Sequence, residues 1–217
     1  NTITATLDTS DNVTLTAADN GTTLVGTYTV GAGDNSNDLT VSSFSIGTVT
    51  DIAGNAMAST TVPGTNIASG SAIVIDTTVP TITSFTSTTS NGSYKSAGEV
   101  NITATASEFV VATNFITATL DTSDNVTLTA ADNGTTLVGT YTVGAGDNSN
   151  DLTVSSFSIG TVTDIAGNAM ASTTVPDANI ASGSAIVIDT TAPTITSFTS
   201  TTSNGSYKSA GEVNITA

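Results

Sequence analysis

The chain has 217 residues, with 18 Asp and Glu against two Lys, no Arg, His, Cys or Trp, and a formal charge of −16. Without His or Cys there is no Ser-His-Asp triad, thiol nucleophile, zinc site or haem ligation. Lys95 and Lys208, the only cations, cannot form a phosphate or nucleic-acid surface. Chemistry built on carboxylates and hydroxyls alone, as in glycosidases, is the remaining enzymatic route. Aliphatic runs such as Ala185–Ile188 are too short to span a bilayer, and no signal peptide is visible. The absence of Cys fits an exported protein that does not rely on disulfides.

Residues 1–104 align without a gap on residues 114–217 and differ only at Thr2/Phe115, Gly64/Asp177, Thr65/Ala178 and Val79/Ala192. The period is therefore 113 residues, and a repeat architecture is expected. A spacer, stalk or fibre uses such copies; an enzyme seldom does. One period, residues 80–192, holds eight Asp and two Glu against one Lys, a net −9 that repels nucleic acid and anionic membranes and attracts cations.

In chain order, Thr, Val, Ile and Ser signal strands, and helical patterns are missing. The period opens with a strand over 81–87. Val100, Ile102, Ala104 and Ala106 then share one face of a strand over 99–106. Ile116, Ala118 and Leu120 do so over 115–121, and Val126, Leu128 and Ala130 over 125–130. Asn133-Gly134 reads as a hairpin turn into a strand over 136–143, with Leu137, Gly139, Tyr141 and Val143 inward. Strands over 152–162 and 185–189 follow, separated by the loop Asp164-Ile165-Ala166-Gly167-Asn168. The opposite faces are Thr, Asn and Asp, which suits a sheet with one wet side. About seven short antiparallel strands in this length is the size of an immunoglobulin-like sandwich. The expected fold is all-β: tandem immunoglobulin-like β-sandwich repeats with an aliphatic core around Phe85, Phe157 and Tyr141. Asp76-Thr77-Thr78-Val79-Pro80, repeated at 189–193, marks a short stiff boundary. The chain divides into a partial unit (1–79), a complete unit (80–192) and the first strands of a third (193–217). It reads as a window on a longer array, or as incomplete sandwiches that neighbours' strands complete.

The Asp-Thr-Thr-Ala-Pro linker at 189–193, Tyr-Lys-Ser-Ala-Gly-Glu at 94–99, Ser107-Glu108 and the Asp164–Asn168 loop resemble bacterial Ig-like repeats of giant surface adhesins and extracellular fibres. The resemblance covers the whole repeat. It implies an extracellular, cell-surface stalk whose junctions are stiffened by calcium, with neighbouring repeats as partners.

Immunoglobulin-like topology places specific acids at each junction. Glu108, Asp164 and Asn168 lie in loops that face the incoming linker, which carries Asp76, while the preceding unit's loop brings Asp34 and Asp38. At the next junction Glu99, Asp147 and Asp151 meet Asp189. Carboxylates about 5 Å apart repel by roughly 3 kcal/mol per pair at an effective dielectric near 20. Calcium, which takes six to eight oxygen ligands, suits such a cluster better than zinc or copper. The alternative is that these Asp and Asn residues only cap turns.

Other signals are weaker. Lys95 near Glu99 is better read as a solvated lysine than as an intramolecular cross-link. Asn-x-Ser/Thr triplets at Asn12, Asn20, Asn91 and Asn101, with their copies, are frequent in any Thr-rich chain. Thr-x-Thr runs reflect β-propensity on a wet face rather than an ice-binding plane, which a twisted sheet does not supply. The function expected first is mechanical spacing. A multivalent glycan-binding module and a filament subunit joined by strand exchange are the alternatives.

Overall fold

The computed structural model describes residues 1–217 and is nearly all β. The partial unit contains β1 (Thr2–Leu7), β2 (Asn12–Thr16) and β3 (Val41–Thr48), then a 3-10 turn at Ile67–Ser69. The complete unit contains β4 (Ile82–Thr86), β5 (Gly92–Tyr94), β6 (Glu99–Val110), β7 (Phe115–Leu120), β8 (Asn125–Thr129) and β9 (Gly134–Thr142). It closes with β10 (Asn148–Ser149), β11 (Val154–Thr161), the one-turn helix α1 (Ile180–Gly183) and β12 (Ile186–Asp189).

Two antiparallel layers build the complete unit. One is β4-β6-β9 and the other β8-β7-β11. A single β8–β9 ladder pair, Thr129↔Val138, links them into one continuous six-stranded sheet. The alternating apolar residues point between the layers, as their period of two requires. Phe85 from the first layer meets Phe157 from the second edge-to-face at 5.6 Å. All the inward residues expected from the alternation are buried except Gly139. That glycine lies where β8 crosses closely: a Cβ there would stand 2.3 Å from the Thr127 carbonyl oxygen.

Three local features depart from the pattern read in the sequence. Asn133-Gly134 is not a tight hairpin turn. β8 spends its ladder on β7, and the chain crosses between layers at this point. The Asn133 Oδ1 instead accepts from the Ala112 N–H at 2.8 Å. Gly92–Tyr94 forms a strand that the alternation does not mark: β5 pairs in parallel with β12, opposite Ile186–Ile188, and β12 also pairs with β10. The closing strand thus leaves the β11 edge and forms a small third sheet with β5 and β10. Finally, α1 was not expected. Asn179 caps it, accepting from Ile180 N–H, and the Ser182 hydroxyl accepts from the Asn179 N–H.

The flanking segments show what identical sequence does without its partners. Residues 21–29 copy β9, yet they form only an isolated bridge at Thr16↔Val25. Residues 193–217 copy 80–104 without a difference, yet their only bridge is Thr199↔Thr216. Phe198 is 74% exposed where Phe85 is 0% exposed, and Ile215 is 73% exposed where Ile102 is 0%.

This duplication makes a controlled substitution experiment. Phe85→Ala should destabilise the complete unit by about 3–5 kcal/mol, the usual cost of emptying a buried aromatic site. Phe198→Ala should change the melt in dilute solution by no more than about 0.5 kcal/mol. Thermal or urea unfolding of each single variant checks both.

Candidate metal centre

The joint between the partial and the complete unit brings together three of the expected acids. Asp76, Glu108 and Asp164 each offer an oxygen within 4.8 Å of the other two. Asp76 comes from the linker, Glu108 from the irregular end of β6 and Asp164 from the loop after β11.

Each is held by local backbone. The Asp76 Oδ1 accepts from the Thr78 N–H at 2.9 Å, an Asx turn that starts the linker. Near Glu108 the β6 register shifts between Thr105 and Val110. Ser107 there exchanges bonds with Thr81: its N–H donates to the Thr81 carbonyl at 2.8 Å, and its hydroxyl accepts from the Thr81 N–H at 3.0 Å. Asp164 is 2% exposed. Its Oδ1 accepts from the Gly167 and Asn168 N–H groups at 2.7 and 2.8 Å. Gly167 has φ +99°, the left-handed conformation that this loop demands and that glycine takes without strain.

Asn168 serves as a brace. Its Nδ2 donates to Asp164 Oδ2 at 2.7 Å and to the Asp76 carbonyl at 3.0 Å, tying the loop of one unit to the linker of the other. Glu108 is the uncompensated member. Its Oε1 is buried and accepts no hydrogen bond. Burial, then the charges of Asp76 and Asp164, push its carboxyl above the ordinary 4.5.

The other expected acids lie elsewhere. Asp34 folds back into its own loop, accepting from the Tyr28 hydroxyl at 2.5 Å and Gly31 N–H at 2.6 Å. Asp147 repeats this with Tyr141 and Gly144 at 2.5 and 2.6 Å. In both, the tyrosine bond is the main reason the carboxyl stays below its ordinary range. Asp38 Oδ1 accepts from the Ile73 N–H at 3.4 Å, and the Asp151 N–H donates to the Ser149 hydroxyl at 3.3 Å. Glu99 is exposed at the start of β6, opposite Thr142. Asp189 keeps the Asx turn of Asp76, with Thr191 N–H at 2.9 Å, but one period on from Glu108 and Asp164 lies past residue 217. None of these six joins the three-acid cluster.

Composition does not reveal how the linker is fastened. The Thr77 hydroxyl donates to the Asp34 carbonyl at 3.1 Å and accepts from the Gly33 N–H at 3.1 Å. Asn35 Oδ1 accepts from the Thr77 N–H at 3.0 Å. Two of these three bonds recur one period on: the Gly146 N–H donates to the Thr190 hydroxyl at 3.1 Å, and Asn148 Oδ1 accepts from the Thr190 N–H at 3.2 Å. The linker is thus bolted to the unit it leaves, a restraint beyond that of its proline.

The donor set fits a hard divalent cation. It is all oxygen, anionic, drawn from three chain segments, and includes one buried oxygen with no partner. Both lysines are exposed, so neither is sequestered as a counter-charge.

Metal-free pH dependence follows from Glu108. Its folded-state pKa is raised, so its contribution is present below about 4.5 and lost as pH rises through the folded value. Depressed Asp8, Asp34, Asp51 and Asp147 act oppositely, contributing above 3.8 and losing that as pH falls through their folded values. Above about pH 5 the Glu108 effect therefore stands alone among them. In chelator, Glu108→Gln should melt higher than the parent at neutral pH, with the gap closing toward about pH 4.5. Calorimetric melts across that range check it.

Against family models, curated proteins and solved structures, the chain matches none.

Proposed function

We propose that this chain is a stretch of structural repeats from an extracellular surface fibre or adhesin stalk, and that calcium at the unit junctions sets its stiffness. The observation that carries this reading is the Asp76–Glu108–Asp164 cluster, because it straddles a junction. One ligand belongs to the linker and two belong to the following unit.

The physics of the joint supports the same reading. Three carboxylates within 4.8 Å repel when all are ionised. At an effective dielectric near 20 that is roughly 3 kcal/mol per pair. A divalent cation reverses the sign of this interaction and supplies the missing partner of the Glu108 oxygen. Asp76, Glu108 and Asp164 would hold the ion; Asn168 would keep linker and loop in register. The bond network from Thr77 and Asn35 would transmit that rigidity into the preceding unit.

The wider composition is consistent with a spacer. A net −9 per period keeps neighbouring fibres apart and soluble. The extracellular setting also supplies millimolar calcium, the range in which extracellular modules bind it. The repeat, the linker and the Asp164–Asn168 loop resemble the bacterial Ig-like family, whose stalks are of this kind.

Isothermal titration and small-angle scattering of the whole chain test the proposal. Calcium should bind one site between residues 76 and 164, raise the melting temperature and straighten the scattering profile. Asp76→Asn should lower the affinity at least tenfold without lowering the metal-free melt of the complete unit, since it also removes one repelling charge. Absence of calcium binding, or an unchanged profile in calcium and chelator, would overturn it.

A further inference from the structure

Beside the three acids, a cleft of about 330 Å³ opens between the two units. It is lined by Asn35 and Asn37 of the preceding unit, by Asp76 and Thr78 of the linker, and by Ser107 and Glu108 of the following unit. Two members of the acid cluster therefore share this space with two amide side chains. The preceding wall is a regular piece of sheet. Ser36 and Ile75 exchange both backbone bonds at 2.8 Å, so they stand directly opposite one another. Asn35 then falls opposite Asp76, and Asn37 opposite Val74. Residues 35, 37, 74 and 76 share one face, because strand residues alternate and cross-strand partners point the same way. Ser36 belongs to the other face and is buried. In the complete unit the copies keep this register, Asn148↔Asp189 and Ser149↔Ile188. There Asn148, Asn150 and Asp189 line a hollow of about 320 Å³ with β5 in place, so the wall belongs to the intact unit.

The two amides differ in what they are free to do. Asn35 Oδ1 accepts from the Thr77 N–H at 3.0 Å and the Thr78 hydroxyl at 3.3 Å, and its Nδ2 donates to the Gly33 carbonyl at 3.2 Å. The Ser36 hydroxyl donates to Asp8 and accepts from the Asp38 N–H. Asn37 is exposed and its side chain makes no hydrogen bond. It is the diagonal neighbour of Asp76 across the ladder, a separation of about 7–8 Å. An ion between them spans much of that distance, since each calcium–oxygen bond is about 2.3–2.6 Å.

The cluster lacks such a donor. Asp164 Oδ1 already accepts two N–H groups and its Oδ2 the Asn168 amide, and Asp76 Oδ1 accepts the Thr78 N–H. The buried Glu108 Oε1 has no partner of any kind. Three acids so engaged leave a calcium shell of six to eight oxygens incomplete, on the side where Asp76 and Glu108 meet the cleft.

We propose that Asn37 is the preceding unit's ligand to the joint cation, its side-chain carbonyl oxygen joining Asp76, Glu108 and Asp164. This rests on calcium at the joint: the ion then bridges a loop of one unit to the linker and the following unit. A neutral amide oxygen is an ordinary calcium ligand, and it adds no fourth negative charge to a cluster that already repels itself. The acids on the same loop, Asp34 and Asp38, are held by bonds within their own unit.

Calorimetric calcium titration of the whole chain, with side-chain amide NMR of the isotope-labelled protein, tests this. Asn37→Ala should weaken calcium binding by at least about tenfold, the lower end of what even outer-shell partners contribute. It should leave the melt in chelator unchanged, because the side chain is exposed and unbonded. Asn37→Asp, which keeps an oxygen donor, should bind at least as tightly as the parent. On adding calcium the Asn37 amide resonance should shift. That of Asn150, which has the same local sequence but no counterparts of Glu108 and Asp164 beside it, should stay in place. If the parent binds calcium and Asn37→Ala binds it equally well, with an unmoved Asn37 amide, Asn37 is not a ligand and the calcium reading stands without it. If the parent binds no calcium, both fall.

Discussion

A β-strand needs two things at once: another backbone along its edge and another layer over its apolar face. Almost everything distinctive here follows from whether a given stretch has both. In the complete unit β9 lies against β6 and beneath the opposite layer, and it is a nine-residue strand. The same residues at 21–29 have no β6 beside them and pair only at Val25. Propensity is identical in the two places, so propensity alone does not make the strand. Tertiary partnership does, and one 217-residue chain displays both outcomes.

The second constraint is electrostatic. Soluble linear arrays benefit from mutual repulsion, but repulsion placed at a junction works against alignment. This chain concentrates the conflict on one acid. Asp164 is surrounded by N–H donors and Asp76 by the turn of its own linker. Glu108 is half-buried beside both, and its buried Oε1 has no donor. Such an oxygen is tolerable if the carboxyl holds a proton or a cation completes it. The choice between those two states depends on the solution around the protein, not on the fold.

Much of this was legible in residues alone. Alternation located both layers, because a half-buried strand writes its period of two directly into the sequence. The inward residues from Val100 to Val143 are buried as that pattern requires, apart from Gly139. The linker and the acids Asp76, Glu108 and Asp164 were also readable from loop order. What was hidden depends on contacts between distant residues. Nothing local in Gly92-Ser93-Tyr94 announces a parallel partner at Ile186. Asn133-Gly134 has hairpin chemistry, but its flanking strands belong to different layers. Asp34 and Asp147 look like ligands until Tyr28 and Tyr141 are seen to occupy them. The Thr77–Asn35 brace is invisible because Thr and Asn are common throughout the chain.

The parallel pairing of β5 with β12 has a mechanical meaning. A pull along a chain of such units draws each first segment backward and each last strand forward. Parallel neighbours loaded in this way slide past one another, so their rungs from Gly92–Ile186 to Tyr94–Ile188 share the load instead of opening one by one. An antiparallel hairpin pulled from its two free ends would instead peel, like tape, at far lower force. Tension applied across the complete unit would therefore meet this pairing in shear, at the point where the polypeptide leaves the unit.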